Sequence, residues 1–102
     1  MSIQETMNKL RAKGIPVAYI RFKEPQKPPF VIYRGNGQTN FIADNTHFYT
    51  VNDYQIELYF DRKNEKLEDT IEQLLLEDGF LYEKSEDDFI EDEGIFMIYY
   101  QV

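Results

Sequence analysis

The sequence predicts an α+β fold: a mainly antiparallel sheet of four to six strands carrying two helices, in the order αββ(β)βαββ. Three observations predict it. Two segments, 2–13 and 64–78, repeat their apolar residues at helical spacing. Tyr54, Ile56, Leu58 and Phe60 alternate with Gln55, Glu57 and Tyr59, the pattern of a half-buried antiparallel strand. Strand-like segments also follow one another in runs, without the strand–helix–strand rhythm of a parallel sheet.

The first helix reads from Ser2, which has capping-box spacing to Glu5, through the stripe Ile3, Met7 and Leu10. Gly14 and Pro16 stop it. Residues 17–22, VAYIRF, are rich in β-branched and aromatic types and read as a strand. Pro25, Pro28 and Pro29 exclude a sheet interior, so 23–29 is a connecting loop. A second strand covers 30–34, and Gly35-Asn36-Gly37 reads as a turn, because both residue types tolerate positive φ. The polar stretch 38–46 reads as a long loop or a short ragged strand. A further strand starts at 48–51, with Asn52-Asp53 as a bulge or turn before the alternating segment. In the second helix, Leu67, Ile71, Leu74 and Leu75 form the core stripe, and Gly79 ends it. A strand at 80–84, an exposed and mobile acidic connection at 85–94 and a last strand at 95–102 complete the chain.

With 102 residues, the chain has the length of one domain, 1–102. Its 42% hydrophobic and 16% aromatic content argues for a packed core over disorder. The absence of cysteine removes disulfides, thiolate catalysis and Cys-based zinc sites, and His47 is the only histidine. No segment resembles a signal peptide or reaches the ~20 apolar residues of a membrane span, so a protein without membrane contact is expected, made and used in a cytoplasm or inside an assembly built there. The net charge of −8 argues against unaided, and in particular sequence-specific, nucleic-acid binding. Charge is divided unevenly: residues 65–93 hold thirteen acids and two bases, net −11, and the rest of the chain is net +3.

Candidate chemistry is sparse. The run from Glu86 to Glu93 lacks the ligand spacing of a calcium loop. Asp44 and His47 could form an acid–base pair, but two groups in a polar loop name neither a partner nor a pocket, and Asp44-Asn45 reads more simply as a side-chain-bonded turn. Gly35-Asn36-Gly37-Gln38 has neither Walker-type nor dinucleotide spacing. No catalytic, cofactor-binding or metal residue is therefore expected, and no enzyme. The sharper signal is aromatic. Tyr99 and Tyr100 fall on opposite faces of the last strand, as do Phe96 and Met97. Either a helix of the same chain covers the second face, or a neighbouring subunit does.

Several phrases taken together carry a resemblance: Pro16-Val17-Ala18-Tyr19, the Pro-rich stretch from Phe22 to Phe30, Ala43-Asp44-Asn45, and the stretch from Tyr54 to Lys63. They resemble the tail-completion, or tail-terminator, minor tail proteins of long-tailed phages and prophages of Gram-positive bacteria, and the resemblance covers most of the chain. It implies a structural protein of the virion tail, assembled in the host bacterial cytoplasm. Such a protein caps the tail tube as a homomeric ring, usually hexameric, and offers a docking face to the head connector. The implied partners are further copies of itself, the tail tube protein and the head–tail connector protein. The resemblance brings no cofactor. It places Asp44 and Asn45 at a subunit contact or at the lumen, and the expected interface set is Asp44, Asn45, Phe41, Tyr59 and Tyr99. An alternative is an acidic phage-encoded inhibitor that mimics DNA and binds a host protein; a small ligand-binding domain or enzyme would need a pocket with convergent polar groups.

Overall fold

The computed structural model describes residues 2–42 and 48–102, with side chains for 2–38 and 52–102. Among the described residues the order is α1 (Ile3–Ala12), β1 (Val17–Tyr19), β2 (Phe30–Ile42), β3 (Phe48–Phe60), α2 (Glu65–Glu77), β4 (Glu83–Lys84), β5 (Asp88–Ile90) and β6 (Ile95–Gln101). This is the α+β fold that the patterning predicts.

Both helices form where their caps and stripes place them. The Ser2 hydroxyl accepts the Glu5 amide at 3.3 Å, and Asn64 Oδ1 accepts the Leu67 amide at 3.1 Å. Gly14 and Gly79, both at positive φ, follow the caps at the C-terminal ends. Ile3, Met7 and Leu10 of α1 and Leu67, Ile71, Leu74 and Leu75 of α2 are buried. They lie against a single face of the sheet, formed by Val17, Val31, Tyr33, Ile56, Leu58, Phe60, Ile98 and Tyr100.

The sheet runs β1-β2-β3-β6-β4, and β5 shares the outer edge of β6 with β4. Every pairing is antiparallel except β1 on β2. The parallel pair is short because β1 stops at Tyr19, three residues before the strand expected at 17–22. The Arg21 amide returns to the Tyr19 carbonyl at 2.8 Å, and Ile20 between them sits at φ 68°. This is a γ-turn in its strained, positive-φ form, on a β-branched residue. The chain then runs back through the Pro-rich loop, which includes a cis Pro28-Pro29 bond.

The turn expected at 35–37 lies inside a strand, and of the two readings of 38–46 the strand holds as far as Ile42. Gly35-Asn36-Gly37 does not turn the chain: β2 continues to Ile42, and β3 is unbroken from Phe48. Gly35 faces Tyr54 and Gln38 faces Asn52, so Asn36 and Gly37 together oppose Asp53. That two-against-one count is a β-bulge, made by a residue pair that also suits a turn, with Gly37 at φ 86°. The bulge therefore lies on β2 and not at Asn52-Asp53. Beyond it, the pairing runs from Gln38 opposite Asn52 to Ile42 opposite Phe48, with no third strand beside it among the described residues. This arm makes the molecule 51 Å long against 28 and 26 Å across.

The acidic connection is likewise structured. Asp88, Phe89 and Ile90 pair with Met97, Phe96 and Ile95. The outer strand holds one residue more than β6 between Lys84, opposite Tyr100, and Asp88, opposite Met97. Ser85 bridges that irregularity: its amide donates to the Tyr99 carbonyl, and its hydroxyl accepts the Tyr99 amide, both at 2.9 Å.

A half-buried ionic contact ties the helices together. The last turn of α2 has no basic residue, and Asp78 caps it at the end where a negative charge is unfavourable. Lys9 and Thr6 of α1 compensate, reaching Asp78 at 2.5 and 2.6 Å. The Lys9 contact, then Thr6, holds the Asp78 carboxyl below its ordinary 3.8. A lowered carboxyl pKa stabilises the fold above the unfolded value, and that contribution disappears as pH falls through the folded value. Asp78→Asn is therefore expected to melt below wild type near neutral pH, with the gap closing below pH 3.8. Thermal melts of both proteins across acid pH check this; a gap independent of pH would refute the ionic role.

Candidate functional site

Both helices lie on one face, and among the described residues no helix lies over the other face, where Tyr99 sits. Of the two readings of the aromatic last strand, cover by a helix of the same chain is therefore not found among the described residues. The 20–29 loop reaches this side, where Phe22 meets Phe30 edge-on at 5.5 Å and Phe30 stacks on Tyr59 at 4.9 Å.

Strand register assembles the uncovered face in rows. Ala18, Ile32, Glu57 and Tyr99 form one; Phe30, Tyr59, Met97 and Asp88 form the next; Arg34, Gln55 and Gln101 form a third. Near the middle lies Glu57, which strand alternation alone assigns to water but which is 4% exposed. Its carboxylate accepts Tyr59 Oη at 2.8 Å and Gln55 Nε2 at 2.9 Å, and Arg34 Nε lies 3.3 Å away. Burial, then the Glu57 hydrogen bond and charge, pushes the Tyr59 phenol well above its ordinary value, so it stays a donor. With both oxygens engaged, Glu57 acts as a fixed anchor that sets the rotamers of Arg34, Gln55 and Tyr59. The result is a preorganised surface of Tyr, Met, Phe and Arg, residue types enriched where proteins meet.

A groove of about 520 Å³ borders this face between the Pro-rich loop and the 93–95 corner, lined by Phe22, Pro25, Phe30, Ile32, Glu93 and Ile95 among others. Among the described residues, no three acidic or imidazole side chains come together as a metal site. Glu68 and Glu72 of α2, with Asp87, are used internally: Lys84 bridges Glu68 and Glu72 at 2.8 and 2.9 Å, and Lys63 bridges Glu68 and Asp87 at 3.0 and 3.1 Å.

Of the expected interface residues, the structure brings Tyr59 and Tyr99 together on this face, flanking Glu57. Phe41 lies opposite Tyr49 in the arm. Ten residues of β3 separate Tyr49 from Tyr59, about 33 Å of strand, so Phe41 belongs to a different surface. Asp44, Asn45 and His47 lie outside the described residues. Glu57 and Arg34 were missed by the sequence reading; the available signal was Gln55-Glu57-Tyr59, polar and aromatic groups at strand spacing. No helix among the described residues is long and apolar enough to cross a membrane. No protein-family model matches the chain, and no curated protein matches it.

Proposed function

We propose that the chain is a structural protein of a phage tail, a tail terminator. Copies close into a ring, usually hexameric in the proteins it resembles, at the end of the tail tube and join it to the head connector, with no catalytic turnover. The observation that carries this reading is the uncovered sheet face, with Tyr59, Tyr99, Met97 and Phe30 set around a clamped Glu57. A chain working alone has no use for an aromatic face preorganised in this way, and a subunit that meets partners does. The arm adds a second surface beyond the body, and the sequence resemblance supplies the assembly. In this reading the protein resides in the virion tail after assembly in the host cytoplasm. Asp44 and Asn45 belong to a subunit contact, and the tube and connector proteins are its other partners.

The DNA-mimic alternative draws on Glu86, Asp88, Glu91, Asp92 and Glu93, all exposed. It is weakened because Glu68, Glu72, Asp78 and Asp87 are spent on lysines of the same chain.

Deleting the gene from its phage is expected to give tails of uncontrolled length or tails without heads, and the intact gene should restore them. Tyr99→Ala, with an unchanged melt, is expected to restore them poorly, because interface tyrosines often cost ~2 kcal/mol or more when truncated. Normal tails and normal head joining in the deletion phage would overturn the assignment.

A further inference from the structure

Strand order places the two ends of the charge division on opposite edges of the sheet. Residues 9–34, which include β1, hold seven bases and one acid, and of the bases Lys9 and Arg34 are paired within the chain, to Asp78 and Glu57. β1 is one edge, and β4 with β5 is the other, four strand spacings or about 19 Å away. Around β5, residues 85–94 hold six acids and no base. Arg21, Lys23, Asp88 and Glu91 are exposed and make no ion pair among the described residues.

Each edge also carries exposed apolar side chains. Tyr19 is 51% and Ile20 50% exposed on the basic edge, and Phe89 is 54% exposed on the acidic one. Tyr19 packs edge-on to Tyr33, and Phe89 packs on Phe96, which stacks on Phe60. Tyr33 and Phe60 are both core residues of the helix-bearing face. The two apolar edges therefore sit on the same side of the sheet.

We infer that copies of the chain join head to tail, the basic edge at Tyr19, Ile20, Arg21 and Lys23 of one copy seating against the acidic edge at Asp88, Phe89 and Glu91 of the next. This rests on the ring reading and names the contact that builds the ring. A two-fold contact of either edge with itself would set like charge against like, whereas joining the two different edges sets basic against acidic and can close a ring. The contact works through side chains and not through one shared ladder. The γ-turn at Ile20 ends β1 after three residues, and the extra residue between Lys84 and Asp88 interrupts the other edge. The apolar groups give affinity, while the charges set orientation and make the contact salt-sensitive.

The natural chain has no cysteine, so single cysteines report the contact cleanly. Arg21→Cys and Asp88→Cys proteins, mixed in low salt with a short bismaleimide, are expected to give a cross-linked dimer containing one of each. Neither alone should cross-link, and a chain carrying both should give a ladder. A homodimer of either single variant, or no mixed product, overturns the inference. A second measurement guards against a chance cross-link. Sedimentation equilibrium should show self-association weakened roughly tenfold or more by Arg21→Glu with Lys23→Glu, or by Asp88→Lys with Glu91→Lys, and recovered when all four are combined. No weakening, or no recovery, also overturns it. The two readings fail separately. Tails that need the protein but give no mixed dimer would discard only this contact, while a mixed dimer from a gene whose deletion leaves tails normal would discard only the tail assignment.

Discussion

Replacing Lys84 with methionine is expected to destabilise the fold by about 2–3 kcal/mol, below the ~3–5 kcal/mol of a wholly unpaired buried charge because Lys63 stays 3.0 Å from Glu68 Oε2. Lys84 reaches Glu68 at 2.8 Å and Glu72 at 2.9 Å, and the Glu68 side chain is almost wholly buried. Tyr100 and Tyr82 donate to Glu72 as well, at 2.8 and 3.0 Å. Partial burial acts to raise the Glu72 pKa, but the hydrogen bonds from Lys84, Tyr100 and Tyr82 outweigh it and hold the carboxyl below its usual range. On Lys84, burial opposes the charge, and Glu68 and Glu72 overcome it, so its pKa lies above the ordinary 10.5. A raised lysine pKa gives stability that is full below the ordinary value and lost only as pH climbs through the folded one. The wild-type advantage over Lys84→Met should therefore hold through neutral and mildly alkaline solution. Adding Glu68→Gln should recover part of the loss, because it removes the stranded charge. Urea melts of the single and double variants measure this; a single variant as stable as wild type would mean the network contributes nothing net.

Leu75→Ala should cost about 2–5 kcal/mol, and Leu76→Ala under about 0.5 kcal/mol. The two residues are adjacent on α2, yet Leu75 is fully buried and Leu76 is 54% exposed. The exchange at Leu75 leaves a cavity between helix and sheet, whereas the exchange at Leu76 removes a side chain that already meets water. Denaturant midpoints of the pair test the helix register directly, and equal losses would place α2 with the wrong face inward.

What was legible in the sequence follows from the range of the interaction that decides each element. Leu67, Ile71, Leu74 and Leu75 declare their helix within three turns, and Ile56, Leu58 and Phe60 declare their strand within five residues. The bulge at Asn36 and Gly37 is different. Its residues suit a turn equally well, and the choice is made by Asn52 and Tyr54, well along the chain. β5 was hidden for a related reason. Its acids argue locally for a repelling loop, but Phe89 lies on Phe96, and Lys63 pairs with neighbouring Asp87. On the candidate face, Tyr59 and Tyr99 were readable as outward aromatics. Glu57 was not, because its burial is produced by Arg34 and other side chains that only the assembled sheet brings around it.

The arm also bears on how the particle moves through solvent. A compact chain of this length has a radius of gyration of about 13 Å. With the ribbon beyond the bulge, the value is 15.0 Å. Friction follows extension more than mass, so one copy will run ahead of a 12.2 kDa globular standard on a sizing column. Elution volume alone would therefore overstate the number of subunits, and stoichiometry has to be read from mass, by light scattering or sedimentation equilibrium.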